Sequence, residues 1–183
     1  LIDNIAIAAA LFAATAGDDL KQVWMDALAI GEKRVAFAHR EQPARRSLTW
    51  VETRAVRNGA GTRLTGTKSL VPGGDGVDAY IVTARTSGQA GDRDGIGLYL
   101  VQANSAGLSA NPWRLVDGSV AVSLTLDSVE ATPLGGGMAQ IETAFDRAAL
   151  LQSAEALGIM EKLFADTRDY LRTRQQFGKA LGT

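Results

Sequence analysis

The sequence predicts an α+β protein, in which an antiparallel β-barrel or sandwich is flanked by N-terminal helices and by one long C-terminal helix. Short β-branched runs separated by Gly, Asn and Asp fill residues 33–133 and do not alternate with helical segments. An alanine-rich stretch precedes this region, and residues 139–176 follow it without a proline. The expected domains are therefore the end of a helical domain (1–32), a middle β-domain (33–133) and the first long helix of a second helical domain (134–183).

Composition indicates a globular chain and excludes several functions. The chain has 183 residues, 46% hydrophobic and 21% charged, which is enough for one core. Its 19 basic and 20 acidic residues give a net charge of -1, so we expect no nucleic-acid partner. Because there is no cysteine and one histidine, a disulfide framework, a cysteine-ligated zinc and a histidine-rich metal site are excluded. We expect a cytoplasmic protein without a metal.

The N-terminal apolar run is expected to be a buried helix. Residues 5–14, followed by Ala-Thr-Ala, superficially resemble a signal peptide. Asp3 and Asn4 stand where such a peptide needs positive charge. The run is also shorter than the roughly 20 residues that span a bilayer, so no membrane association is expected.

A second helix follows the first. Gly17 ends the alanine-rich helix, Asp18 and Asp19 place acid at the positive end of the next one, and Gly31 closes it. The predicted apolar face of this second helix consists of Leu20, Val23, Trp24, Ala27 and Leu28.

The middle region predicts about six strands. Asn58-Gly59 is a hairpin signal between two of them. Val122, Leu124 and Leu126 alternate with polar residues, as in a strand with one buried face. The candidate strands are residues 33–39, 50–57, 62–71, 79–85, 96–102 and 120–130.

The last helix carries an apolar heptad stripe. Leu150, Leu157, Phe164 and Leu171 repeat every seven residues within residues 139–176. Such a stripe packs along a neighbouring helix, but a helix of this length spans roughly 57 Å and extends beyond the N-terminal helices. A bundle helix within one chain and an oligomer interface both remain open.

Two glycine-rich patterns fail as nucleotide motifs. Residues 61–69 almost match a P-loop, but Lys68 lies one position too late and the segment has the pattern of a strand. A G-x-G-x-x-G pattern begins at Gly59, but Leu64 stands at its last glycine. We interpret both as turns and strands.

Few residues are candidates for chemistry. His39 could act as a general base, but Glu41 would share its strand face and the two could simply pair. Arg40, Arg45 and Arg46 could bind the phosphate of a nucleotide or coenzyme, and a solvated loop explains them equally well. No catalytic residue is identified from the residues themselves.

Several segments together resemble one family, the acyl-CoA dehydrogenases. Residues 64–68, 73–85 and 95–101 are similar to strands of its middle β-domain. Ala-Glu-Ala-Leu-Gly at 154–158, followed by Tyr-Leu-Arg-Thr-Arg-Gln-Gln-Phe-Gly-Lys at 170–179, resembles the helix that opens its C-terminal domain and its R-x-x-F-G signature. The family is about twice as long, so the resemblance implies a fragment.

The resemblance implies an FAD-dependent dehydrogenation of an acyl-CoA to a 2-enoyl-CoA, with electrons passed to an electron-transfer acceptor protein. In the family, the signature arginine and phenylalanine contact the FAD of a neighbouring subunit. This implies Arg174, Gln176 and Phe177 as FAD contacts and a dimer or tetramer, homomeric or heteromeric. Asp146 matches an aspartate at the pantetheine end of the substrate site.

Departures from the family pattern concern the flavin. The family's Thr-Glu-Pro-Gly-x-Gly-Ser pattern corresponds to residues 39–47, which places His39 and Arg40 at FAD and Ser47 at the substrate. Leu70-Val71-Pro72 replaces Trp-Ile-Thr at the next flavin-facing strand, so only backbone contacts would remain there.

Two consequences follow from the resemblance. The form of the chain resembles small subunits of pimeloyl-CoA and related dehydrogenases. The family's catalytic glutamate lies beyond residue 183, and Ala148 occupies its alternative position, so the fragment is expected to be inactive alone. The alternative is a non-catalytic partner subunit that contributes to the FAD site of a neighbour.

Overall fold

The computed structural model describes residues 2–45, 47–59 and 61–182, and Arg46 of the predicted arginine cluster lies outside them. A π-helical segment (Ile2–Ala9) continues into α1 (Ala10–Thr15), and α2 (Asp18–Ala29) follows after Gly17. The expected N-terminal helices are therefore present.

Trp24 is the buried anchor of α2, 4% exposed and 5.9 Å from the Phe12 ring centroid. The predicted apolar face was wrong at Val23, which is 63% exposed. A helix of 12 residues that packs on α1 mainly through one large side chain leaves neighbouring positions in solvent.

The middle domain is one seven-stranded sheet that curls into a barrel. Strand β5 pairs with both β4 and β7, which joins the ends of the sheet, and β6 pairs only with β7. The strands are β1 (Val35–Ala38), β2 (Arg54–Asn58), β3 (Gly61–Pro72), β4 (Ala79–Arg85), β5 (Ile96–Gln102), β6 (Leu108–Arg114) and β7 (Val120–Leu134).

The purely antiparallel prediction needs a correction, because β1 pairs with β4 in parallel and β2 touches β4 in parallel at one residue pair. The other described pairings of the barrel are antiparallel. The hairpin predicted at Asn58-Gly59 is confirmed, since Asn58 pairs with Gly61. Residues 50–53, predicted as strand, belong to no strand, and the backbone amides of residues 52 and 53 donate to the Glu41 carboxylate instead.

Two apolar cores share the sheet. Along β1, Phe37 belongs to the core between sheet and helices, and Ala36 and Ala38 belong to the core inside the barrel. Val122 and Leu124 of β7 are 1% and 2% exposed and belong to the barrel interior, as their alternation predicted.

Helix α3 (Met138–Thr173) leaves the barrel and ends before the predicted Gln176. The chain then turns back in a small hairpin of β8 (Gln175–Gln176) and β9 (Lys179–Ala180). Buried side chains of α3 occur only between Met138 and Ala148. The predicted heptad stripe lies exposed beyond that point, from Leu150 (71%) to Leu171 (40%).

Candidate functional site

A pocket of about 280 Å³ lies where the N-terminal helical segment, the barrel and α3 meet. One wall comes from the end of β1 and from the loop after it, the opposite wall from β3, and α3 closes one side. Its lining residues are Ile7, Phe37, His39, Arg40, Arg45, Ser47, Leu48, Leu70, Pro72 and Phe145.

Aromatic rings form the inner part of this pocket. Phe37 and His39 point to the same side of β1, and their rings stack at 5.4 Å with an angle of 6° between planes. Phe145 of α3 approaches both, at 6.1 and 6.2 Å between centroids. Two stacked rings and one tilted ring therefore give this part of the pocket a polarisable aromatic surface.

A buried polar network lies behind His39. Lys68 is fully buried, and its ammonium donates to Glu41 Oε1 (2.7 Å), to Thr83 Oγ1 (3.1 Å) and to the carbonyl of His39 (3.3 Å). Glu41 also accepts from the Thr53 hydroxyl (2.6 Å) and from the backbone amides of residues 52 (2.6 Å) and 53 (3.0 Å). The proposed pairing of His39 with Glu41 was wrong, because Glu41 pairs with Lys68.

The network fixes the proton on His39. Thr83 Oγ1 accepts from Lys68 and lies 3.0 Å from His39 Nδ1. A backbone interaction with Leu48 raises the pKa of His39, which indicates a ring N–H donor, and Nε2 is the nitrogen that remains because Nδ1 faces Thr83. We therefore assign Thr83 as donor to Nδ1 and His39 as the neutral Nε2–H tautomer.

Burial also sets the charge states. It lowers the pKa of His39 to about 4, with a further lowering from the charges of Lys68 and Arg40. Burial lowers the pKa of Lys68 to about 8, against the opposing effect of Glu41. Burial alone would raise the pKa of Glu41, but Lys68 and its hydrogen-bond donors hold it below its ordinary value. At neutral pH the ion pair is charged and His39 is not.

The rim of the pocket is cationic. Arg40 and Arg45 are exposed, and neither forms an ion pair with a residue that the structure describes. The backbone of Arg45 has a φ of 51°, which is unfavourable for a residue other than glycine. The Ser47 hydroxyl lies beside them, 3.2 Å from the Thr49 hydroxyl. Such a rim suits an anionic group.

The other residues predicted for binding divide into two groups. Leu70 and Pro72 line the pocket, whereas Val71 between them is fully buried in the barrel interior. Asp146 follows Phe145 on α3 and faces solvent.

The tail residues Arg174, Gln176 and Phe177 are exposed, Phe177 by 99%, and do not line the pocket. From Phe145 to the end of α3 the helix rises roughly 42 Å. The structure therefore does not bring the tail residues to the pocket of their own chain.

Sequence reasoning missed four pocket residues that come from different segments, namely Ile7, Phe37, Leu48 and Phe145. It also missed the partners of Lys68. A lysine within an apolar strand was the available signal, because a buried ammonium requires an acceptor elsewhere in the chain.

Two kinds of site are absent from the described residues. None of their helices combines the length and the apolar character of a bilayer span. Among the same residues, no three His, Asp or Glu side chains are grouped as metal ligands would be.

Comparisons with known proteins agree on one family. A family model described as "Acyl-CoA dehydrogenase, C-terminal domain" matches residues 135–183. Acyl-CoA dehydrogenase FadE27 of Mycobacterium tuberculosis is 27% identical over 184 residues, covering 100% of this chain and 46% of that protein.

Solved structures of the family have the same fold. A variant of the Tcur3481-Tcur3483 steroid ACAD matches with a TM-score of 0.82 and 31% identity, covering 100% of this chain and 48% of the other. Butyryl-CoA dehydrogenase from Megasphaera elsdenii matches with a TM-score of 0.89 and 25% identity, covering 98% and 49%. The chain spans about half the length of the relatives it matches.

Proposed function

We propose that this chain, which is similar in sequence and fold to acyl-CoA dehydrogenases, forms part of an FAD-dependent enzyme of that family that converts an acyl-CoA thioester to the 2-enoyl-CoA. The observation that carries the proposal is the pocket between the barrel and the helices, with its aromatic inner wall and arginine rim. The substrate class we propose includes dicarboxylic acyl-CoAs, in line with the resemblance to small subunits of pimeloyl-CoA dehydrogenases.

The residues of the pocket fit a flavin by their chemistry. An isoalloxazine is planar with apolar faces and carries hydrogen-bond acceptors on its edge. Phe37, Leu70 and Phe145 supply apolar surface for the faces, and Arg40 supplies donors for the edge or for a phosphate. When bound there, FAD would accept the hydride that leaves the substrate.

This chain supplies binding surface and no general base. The described lining residues include no carboxylate, and His39 has its Nδ1 occupied by Thr83. With its pKa lowered to about 4, His39 is a weak base held in one tautomer. We therefore propose that the proton is removed by a residue outside this chain, and that residues 1–183 alone do not turn over.

Ser47 and Asp146 are proposed substrate contacts. Ser47 lies at the pocket rim with its hydroxyl in solvent reach, and Asp146 is exposed one residue after the lining residue Phe145. Both hydroxyl and carboxylate are suited to the amides and hydroxyl of a pantetheine arm.

The tail residues are proposed to serve a neighbouring subunit. Arg174, Gln176 and Phe177 are exposed at the far end of α3, so their own pocket is out of reach. A guanidinium suits a pyrophosphate, and an aromatic ring suits an adenine. The proposal requires a dimer or tetramer, and an electron-transfer acceptor protein to reoxidise the flavin. We place this assembly in the cytoplasm.

A non-catalytic partner subunit is the second candidate. The side chains of Leu70 and Val71 carry no hydrogen-bond donor, and Pro72 has no backbone N–H, so the β3 wall offers a flavin few polar contacts. Such a subunit would contribute its tail to the FAD site of another chain and bind no FAD itself.

The test is an anaerobic visible spectrum of the complete gene product, purified with added FAD and titrated with mono- and dicarboxylic acyl-CoAs. We expect a flavin band that one ester bleaches. Absence of flavin, with activity only after a second chain is added, would favour the partner subunit.

Arg174→Gln tests the tail. We expect it to lower the FAD content of the oligomer several-fold, because the guanidinium contact is lost. Arg172→Gln, an exposed basic residue in the last turn of α3, is the matched control and should leave the FAD content unchanged. Equal FAD content in both variants would contradict the role of the tail.

A further inference from the structure

The side chain of Arg85, at the end of β4, is fully buried and hydrogen-bonds to main-chain carbonyls. Nε donates to the carbonyl of Val51 at 3.1 Å. The two terminal nitrogens donate to the carbonyls of Thr49 (3.1 Å), Ser87 (3.3 Å), Asp92 (2.8 Å) and Asp94 (2.6 Å). A guanidinium has five N–H donors, so each of them has an acceptor.

The charge of Arg85 is balanced mainly by carbonyl dipoles. Among the described residues no carboxylate hydrogen-bonds to the guanidinium. Burial lowers its pKa, and the nearby charge of Asp92 acts in the opposite direction. Because a buried cation is costly unless its donors are satisfied, the arrangement requires all these carbonyls to stay in place together.

The carbonyls come from two segments, residues 49–51 and residues 87–94. The first segment follows directly after Ser47 and Leu48, which form one wall of the pocket. Arg85 therefore fixes the backbone from which this wall extends.

The second segment is joined to α3. Arg93 forms a two-pronged ion pair with Glu142, with Nη2 2.6 Å from Oε2. Glu142 lies one turn before Phe145, which lines the side of the pocket that α3 closes. The guanidinium of Arg85 and the Arg93–Glu142 ion pair thus together connect the Leu48 wall, through residues 87–94, with the helix that carries Phe145.

We propose that Arg85 is a positioning residue that sets the separation between the Leu48 wall and the Phe145 wall of the pocket. It touches no pocket atom and acts through the two segments that it holds. The ligand-binding consequence rests on the proposed function, whereas the effect on the two segments does not.

The test compares Arg85→Lys with Arg54→Lys in the complete gene product. Lysine keeps the charge but has three donors, so at least two carbonyls lose their partner. Arg54 is the matched control, because it is exposed and its Nη1 donates to one carbonyl of the same loop, that of Gly88 (3.2 Å). Hydrogen exchange by mass spectrometry and equilibrium binding of FAD are the two readouts.

For Arg85→Lys we expect amide exchange in residues 48–52 and 87–94 to rise about tenfold, and FAD affinity to fall about tenfold, with β3 and β7 unaffected. The control should change either readout less than about twofold. Unchanged exchange in the two segments, or an equal rise throughout the barrel, would overturn the positioning role.

Two further outcomes remain decisive. If the wild-type protein binds no FAD, the proposed function fails, and the exchange measurement still decides the role of Arg85. If Arg85→Lys does not fold, wild-type exchange decides it: both segments should open with one shared free energy and one denaturant dependence. Separate opening of the two segments would overturn the proposal.

Discussion

His39 is the one histidine of the chain, and its imidazole is buried between Phe37 and the Lys68–Glu41 pair. The charged groups around it are Lys68, Glu41 and Arg40, of which the two cations oppose its protonation. Its pKa is therefore lowered to about 4 in the fold, against 6.5 in the unfolded chain. The unfolded state binds the proton more tightly over this interval.

The free energy of unfolding should therefore fall as the pH drops below 6.5. Below about pH 4 the protonation of His39 should cause no further loss. From pH 7 to pH 5 we expect a loss of about 2 kcal/mol in the free energy of unfolding. His39→Asn, which keeps an acceptor for Thr83, should remove this loss, as measured by urea unfolding at the two pH values.

Glu41 does not interfere with that measurement. Its pKa is held below the ordinary value of 4.5, so its contribution is present above pH 4.5 and is lost only below it. Equal losses in wild type and His39→Asn would show that other groups cause the acid sensitivity.

Individual site residues could be predicted where the neighbouring sequence identifies them. Arg40 and Ser47 were recognised from their place in a family pattern, and both line the pocket. The partners of Lys68 were not predictable, because Glu41 lies in the loop after β1 and Thr83 on β4, and their distance from Lys68 depends on strand pairing. The same reason hid Arg85, whose five acceptors come from two separate segments.

Among the elements, β3 depends on one glycine. At Gly66 the register of β3 against β7 shifts, and a Cβ there would lie 2.7 Å from the backbone Cα of Thr53. Thr53 in turn binds Glu41 through its hydroxyl. Any side chain at position 66 must therefore move the segment that supports the buried ion pair.

Gly66→Ala should lower the free energy of unfolding by about 2 to 3 kcal/mol, because the new methyl group overlaps backbone that has no room to move. Gly61→Ala on the same strand is the control, since a Cβ there meets nothing within 4 Å. Chemical denaturation of both variants checks this; similar stabilities would contradict the close approach.

The strands that could be predicted from the sequence are those with one buried face. β3 and β7 alternate between buried and exposed residues and were predicted, whereas β6 was missed because nearly all its side chains are exposed. A strand whose two faces are both exposed to solvent shows no alternation of apolar and polar residues in the sequence. The parallel pairing of β1 with β4 also has no local signal, since it depends on the path of the intervening chain.

For the molecule as a whole, the distal part of α3 is the surface that lacks a partner. Leu157 and Phe164 are 54% and 71% exposed, on the heptad stripe that the sequence predicts to pack against a helix. A contiguous apolar stripe of this kind favours association. The sequence predicts that this stripe packs either against a helix of the same, longer chain or against a helix of another subunit. The exposure of the stripe is consistent with both.

We expect the 183-residue chain to associate through this stripe. The double change Leu157→Glu and Phe164→Glu should yield a smaller species in light scattering after gel filtration, with the free energy of unfolding altered by less than about 0.5 kcal/mol. Changing Val56 and Val116 to Glu, which are 61% and 109% exposed but lie outside α3, is the control. Unchanged mass in the α3 variant would exclude the stripe as an interface.

The position of β7 in the barrel has a consequence for synthesis. β7 pairs with β3, β5 and β6, and the ring of strands does not close without it. Its first residue, Val120, is made well after the last residue of β3, Pro72. At a translation rate of about 5 to 20 residues per second, β3 waits roughly 2 to 10 s for its partner. During that interval the edge of β3 that β7 later covers has unpaired backbone N–H and C=O groups, so the nascent chain is then open to edge-to-edge association.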